Sequence, residues 1–351
     1  MDVTELPKIE LHQHLQGSIR NGTFLELALL KYGKERMDEL NCLLNGKRSL
    51  KDCFRLFDII HDIIDSRDSL ERIVREVVED LVDQHVVYAE LRTTPRQYTC
   101  GEEIGEKEGI DIILNMLRTL NEKYEHQIRV RLLVSINRSE SLEKAVRIAH
   151  MAVDYISKGI PEFVGVDFSG NPTTAPFSFF SEAFTILRQH NVPTVIHGGE
   201  VPDRLVLTTS CCCKSAFTPI QDCRDIIAYR PNRIGHGLFF TREDLEQCRR
   251  DGIAIEVCPT SNLMTLGLTD LHQHPVLSQL PDDLQYSINT DDPFIFAITL
   301  SDELHLVSSL FSWNMCNYIQ FLESVKEQVL DKSPATHDFI EAQIAKCRKE
   351  C

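Results

Sequence analysis

Long hydrophobic runs are missing from this chain. No apolar stretch reaches the ~18 residues that a membrane-spanning helix needs, so no such helix is expected. Positive charge is in deficit: 37 lysines and arginines stand against 53 aspartates and glutamates, a formal net charge of -16. Nucleic acid and membrane surfaces are polyanionic, so neither is expected as a partner. A small anion is not excluded, because a few local cations can hold one phosphate against the global field. Internal repeats, low-complexity tracts and linkers are also lacking over the 351 residues, which points to a single domain spanning 1–351. The 12 cysteines show no disulfide framework, and the first 20 residues are charged and motif-rich rather than leader-like. Reduced thiols in the cytoplasm are therefore expected. The run Cys211-Cys212-Cys213 reads as part of an exposed insertion loop (203–223), since contiguous cysteines do not easily converge on one ion.

What is present is a recurring β-type pattern. Eight short runs rich in Val, Ile and Leu cover 8–15, 86–95, 128–136, 163–170, 192–200, 232–237, 253–262 and 284–292. Such composition suits parallel strands buried on both faces. Amphipathic helical stretches lie between most of them; SLEKAVRIAHMAVDYISKG, for example, opens on a serine cap and ends at Gly159. Eight strands alternating with helices predict an α/β fold, a closed (β/α)8 TIM-type barrel. The connection after the first strand is unusually long and carries charged helical material. We expect a helical insertion over 17–80 that forms a lid at the mouth.

Polar residues collect at one end of these apolar strands: His12 and His14, His197 and Glu200, His236, and the pair Asp291 and Asp292. Barrel active sites occupy the C-terminal strand ends, so closure would bring them into one pocket. His12 and His14 are two apart, which on a strand puts both on one face. With His197 and an acidic pair they make a metal site. Nitrogen and carboxylate donors without thiolate suit zinc, and iron or cobalt would also fit. Two adjacent carboxylates at a buried strand tip need positive charge nearby; a metal supplies it for one, leaving the other to accept a hydrogen bond from substrate. Glu200 follows two glycines that allow close approach, and it is a candidate general acid/base.

The segments LHQHLQGS, DFSGNP, HGGE, RIGHG, CPTSN and NTDD occur in an order that resembles the adenosine deaminase family of metal-dependent hydrolases, over about Leu6 to Glu323. RSLKDCFRLFDIIH, VVYAELRTTPR and VRLLVSINRSES are most similar to its N(6)-methyl-AMP deaminase branch. The resemblance implies one zinc ion per chain held by His12, His14, His197 and Asp291. It implies Glu200 as proton donor and His236 as the residue that orients or deprotonates the attacking water. Asp292 and the backbone of Gly170 would hold the purine. The implied reaction is hydrolytic deamination of a purine nucleoside monophosphate, N(6)-methyl-AMP giving IMP and methylamine. Other substrate contacts are expected at His14, Gln16, His61, Thr93, Thr94, Pro95, Arg96 and Asn137. Adenosine deaminases carry Asp where Gln16 stands; a neutral amide does not repel a 5′-phosphate, and the Arg96 fork and threonine hydroxyls suit one. A monomer is expected. The alternatives are a plain adenosine deaminase, and an inactive barrel acting as a binding protein. An intact set of ligands with Glu200 and His236 argues against the second.

Overall fold

The structure is a computed structural model that describes residues 2–45, 50–202, 206–207 and 216–348. Eight parallel strands form one sheet in chain order: β1 (Lys8–His14), β2 (Val86–Thr93), β3 (Arg129–Asn137), β4 (Phe163–Ser169), β5 (Thr194–Gly198), β6 (Arg233–His236), β7 (Ala254–Val257) and β8 (Tyr286–Ile288). The sheet curls until its two edges meet. Just beyond β8, the Asp291 N–H donates to the His12 carbonyl at 2.8 Å, and the His14 N–H donates to the Asp291 carbonyl at 2.8 Å. This is the TIM-type barrel that the strand count implied.

The strands are buried on both faces, but their inner face is not purely apolar. Along β2, Leu91 alternates with Glu90 and Arg92, all fully buried. Glu10, Asp167, Arg233 and Glu256 join them from other strands. Buried charges persist only when paired, and all of these are except Glu10, which accepts hydrogen bonds from the His12 N–H and from Thr290. Arg92 meets Asp167 at 3.0 Å and Glu256 at 3.1 Å; Arg233 meets Glu256 at 2.6 Å and also Glu90. A charged layer therefore lies beneath the strand ends.

The long connection after β1 divides in two. Helices α1 (Asn21–Tyr32), α2 (Met37–Asn45) and α3 (Leu50–Ile63) form the inserted part. Helix α4 (Arg67–Asp83) starts at a Ser66 capping box and buries Leu70, Ile73, Val74, Val77 and Leu81. It packs on β2 and is the barrel's own crossover helix, so the insertion stops before it rather than at residue 80. Helix α3 packs on the 16–18 turn and on α11 (Pro293–Phe296), the segments that carry Gln16 and follow Asp292.

Two further boundaries move. CPTSN is not strand: β7 stops at Val257, and Pro259 opens α10 (Pro259–Leu266), because proline favours the first helical turn. The 203–223 segment ends earlier than expected. Thr218 caps α8 (Pro219–Tyr229), which buries Cys223. Within it, Val206–Leu207 pair antiparallel with Ala216–Phe217; Cys211, Cys212 and Cys213 lie outside the described residues. Finally, Cys316 is disulfide-bonded, which corrects the expectation of reduced thiols throughout.

Candidate active site

The strand ends converge on one point. His12 Nε2 and His14 Nε2 each lie 3.4 Å from Asp291 Oδ1, and His14 Nε2 lies 3.3 Å from His197 Nε2. Donor atoms of His12, His197, His236 and Asp291 all fall within 4.8 Å of one another; those of His14, Asp291 and Asp292 do likewise. His12 Nε2 is buried with no hydrogen-bond partner. A buried polar atom costs free energy unless something satisfies it. A cation among these donors would do so, and the nitrogen-rich donor set fits a divalent transition metal.

The charged layer below aims the ligands. Glu256 Oε2 sits 2.6 Å from His12 Nδ1, and Asp167 Oδ1 sits 3.1 Å from His197 Nδ1. A carboxylate behind an imidazole fixes the proton on the rear nitrogen and turns the front nitrogen to the metal. Burial opposes ionisation of both carboxylates. Arg92 and Arg233 nonetheless hold Glu256 well below the usual range, and His197 and Arg92 do the same for Asp167. Burial also opposes protonation of His12, but Asp291 and Glu256 outweigh it and hold the ring up to about 9. A metal must displace that proton. His14 is already neutral, taken down to about 3 by burial, with His197 and His12 adding to the effect. Ser261 Oγ donates to Asp291 Oδ2 at 2.7 Å, fixing the carboxylate whose backbone adopts φ +63°.

Two carboxyls are shifted toward the protonated form. Loss of water around Glu200 pushes its pKa up, and its Oε1 lies 3.7 Å from His236 Nε2. Burial and the neighbouring Asp291 charge push Asp292 well above the usual range. Asp292 can thus donate as well as accept, where sequence reasoning made it only an acceptor. Gly17 is required beside it: a Cβ there would sit 1.7 Å from Asp292 Oδ1.

The expected substrate contacts fall into two groups at the mouth. Gln16 Nε2 donates to Thr93 Oγ1 at 2.7 Å, and Tyr98 is buried beside them. Arg96 lies over the Tyr98 ring, 5.1 Å from its centroid, and its guanidinium donates to the His61 backbone carbonyl at 2.6 Å; the exposed His61 ring is not the partner. Thr94 is half-buried beside them, and the Pro95 carbonyl accepts from Lys144 Nζ at 3.0 Å. On the far side, Gly170 adopts φ +95°, and a Cβ there would come within 2.3 Å of Asn137 Oδ1.

Sequence reasoning missed Arg92, Asp167, Glu256, Ser261, Asn262 and His274. A signal existed for the first three: single charges inside apolar strand runs, as in ELRT, GVDF and AIEV.

A barrel that converges histidines and an aspartate beneath a carboxyl of raised pKa defines a metal-dependent hydrolase. Residues 7–336 match the adenosine deaminase family, and the chain belongs to it. It is similar to the N6-mAMP deaminase of Arabidopsis thaliana, with 32% identity covering 87% of this chain and 86% of that protein. It is 27% identical to an adenosine deaminase of Clostridium perfringens, covering 93% of this chain and 95% of that one. The apo structure of the Arabidopsis N6-methyl-AMP deaminase superposes with a TM-score of 0.85 at 28% identity over 99% of both chains. Arabidopsis ADAL complexed with GMP gives 0.85 at 28% identity, covering 98% of both chains. The protein is a purine deaminase. Among the described residues, no helix is long and apolar enough to cross a membrane.

Proposed function

We propose that this deaminase acts on purine nucleoside 5′-monophosphates, converting N(6)-methyl-AMP to IMP and methylamine, in the cytoplasm, as a monomer with one zinc ion. One observation carries the substrate assignment: the neutral Gln16–Thr93–Tyr98 cluster with Arg96 at the mouth, beside the metal ligands. A carboxylate at position 16 would repel a phosphate, while the amide and the guanidinium fork can donate to it. The relative named N6-mAMP deaminase supports the same substrate.

His12, His14, His197 and Asp291 would hold the zinc, which when bound acidifies water toward pKa ~7. The chain's own groups do the rest. Glu200, whose pKa is raised by burial, donates from its protonated form to purine nitrogen 1, so the ring accepts attack at carbon 6. Asp292, also protonated, and the Gly170 backbone hold the base. Collapse of the tetrahedral adduct expels the amine and leaves a 6-oxopurine.

The test is a substrate panel of adenosine, AMP and their N(6)-methyl forms, with ammonia and methylamine assayed separately. The methylated monophosphate is expected to have the highest kcat/KM. Arg96→Ala is expected to lower kcat/KM for the nucleotide by about 10- to 150-fold, the worth of a charge-assisted hydrogen bond, mainly through KM. If adenosine outruns every monophosphate and Arg96→Ala penalises both alike, the nucleotide assignment is wrong.

A further inference from the structure

His236 faces the metal ligands, and one of its ring nitrogens lies close enough to join them. Whether it can ligate, accept a proton or only donate depends on where its hydrogen sits, and the neighbouring hydrogen bonds decide that. Two backbone amides, which can only donate, set the arrangement. Val276 N–H and Leu277 N–H both point at His274 Nδ1, at 3.2 and 3.3 Å. His274 Nδ1 is therefore an acceptor, and the ring's hydrogen is on Nε2. That nitrogen lies 3.1 Å from Asn262 Oδ1, to which it donates. The Cys258 N–H donates to the same oxygen at 3.3 Å. Two independent donors thus fix the Asn262 amide with its oxygen toward Cys258 and His274. Its nitrogen must then face the other way, where it meets His236 Nδ1 at 3.0 Å. An amide NH2 only donates, so His236 Nδ1 accepts and the single hydrogen of the neutral ring is on Nε2. All three side chains are nearly fully buried: His274 0%, Asn262 1% and His236 3% exposed. No bulk water is there to exchange partners.

We propose that Asn262 and His274 are positioning residues that hold His236 as its Nε2–H tautomer, so that His236 presents a donor to the attacking water and neither ligates the metal nor takes the water's proton. A nitrogen already bearing hydrogen has no lone pair for either task. Moving the hydrogen to Nδ1 would set it against the Asn262 NH2, two donors facing each other in a buried site. The inference rests on the placement of His236 in the active site and deepens it.

The test reads the ring nitrogens directly. In zinc-loaded protein labelled with 15N-histidine, His236 is assigned by the signals that vanish in His236→Gln. The expected result is a protonated Nε2 and a bare, hydrogen-bonded Nδ1. Asn262→Asp replaces the amide donor with an acceptor; its His236 is expected to carry the hydrogen on Nδ1, with kcat down at least ~10-fold and KM within about 3-fold. A merely structural role for Asn262 would not move a tautomer. A parent His236 with bare Nε2, or Asn262→Asp with unchanged tautomer or unchanged kcat, overturns the proposal. If Asn262→Asp does not fold, the parent spectrum decides alone. No substrate is present in the spectrum, so a failure of the nucleotide assignment leaves this result standing.

Discussion

Arg92 is a single side chain behind two of the proposed metal ligands, and replacing it by Met should uncouple both. Its guanidinium meets Asp167 Oδ1 at 3.0 Å and Glu256 Oε2 at 3.1 Å, with all three side chains at 0% exposure. Methionine keeps the apolar stem and removes the fork. Glu256 retains Arg233 at 2.6 Å, so its charge remains compensated. Asp167 retains only His197 Nδ1 at 3.1 Å. Breaking a buried pair on one side costs about 3–5 kcal/mol, which for a chain of this size lowers Tm by about 4–7 °C. The consequence for metal is separate. An uncompensated Asp167 takes up a proton and no longer supports His197, and loss of such support weakens metal binding by about 10- to 100-fold. The pH dependence has a definite sign. Asp167 is depressed in the folded parent, so its contribution is full above the ordinary carboxylate pKa and is lost only as pH falls through the depressed one. In Arg92→Met that loss should begin at higher pH. Calorimetry of the metal-free protein across pH gives the stability, and competition with a chromophoric chelator gives the affinity. Stability within ~1 kcal/mol of the parent together with affinity within about twofold would refute the reasoning.

Three other substitutions probe the site. Glu200→Gln should keep the metal while kcat falls by about 10²–10⁴-fold. Because Glu200 must be protonated and its pKa is raised, the parent's kcat/KM should decline as pH climbs through that value; the variant's residual activity should lack this limb. His197→Ala should lose most bound metal by elemental analysis, and full metal content with full turnover would remove His197 from the ligand set. Gly17→Ala should displace the Asp292 side chain, raising KM with metal content unchanged, as measured by steady-state kinetics beside metal analysis.

The barrel was legible because parallel strands buried on both faces write themselves as Val, Ile and Leu runs, and eight such runs occur. The ligands were legible because a histidine at the end of an apolar strand breaks that pattern. His12 and His14 stand out for this reason, although their ring geometry also depends on a register shift in β1 that spacing does not reveal. The supporting layer was harder to see. Asp167 and Glu256 are single letters inside apolar runs, and their partner Arg92 comes from another strand. Asn262 and His274 were hidden differently: Asn262 lies in a stretch read as strand, where a helix actually begins. His274 sits in a loop whose meaning appears only when its ring reaches Asn262.

The seam that closes the barrel also sets the order of events during synthesis. Its hydrogen bonds join His12 and His14 to Asp291, across roughly 280 positions of chain. At about 5–20 residues per second, the two histidines leave the ribosome about 14–56 s before their aspartate is made. During that interval the first ligands are exposed on an unclosed sheet, with neither the last strand nor the Glu256 behind His12 in place. Loading of a metal onto all four proposed ligands therefore waits for the closure step. A nascent chain arrested before Asp291 should emerge metal-free, however well its earlier strands have paired.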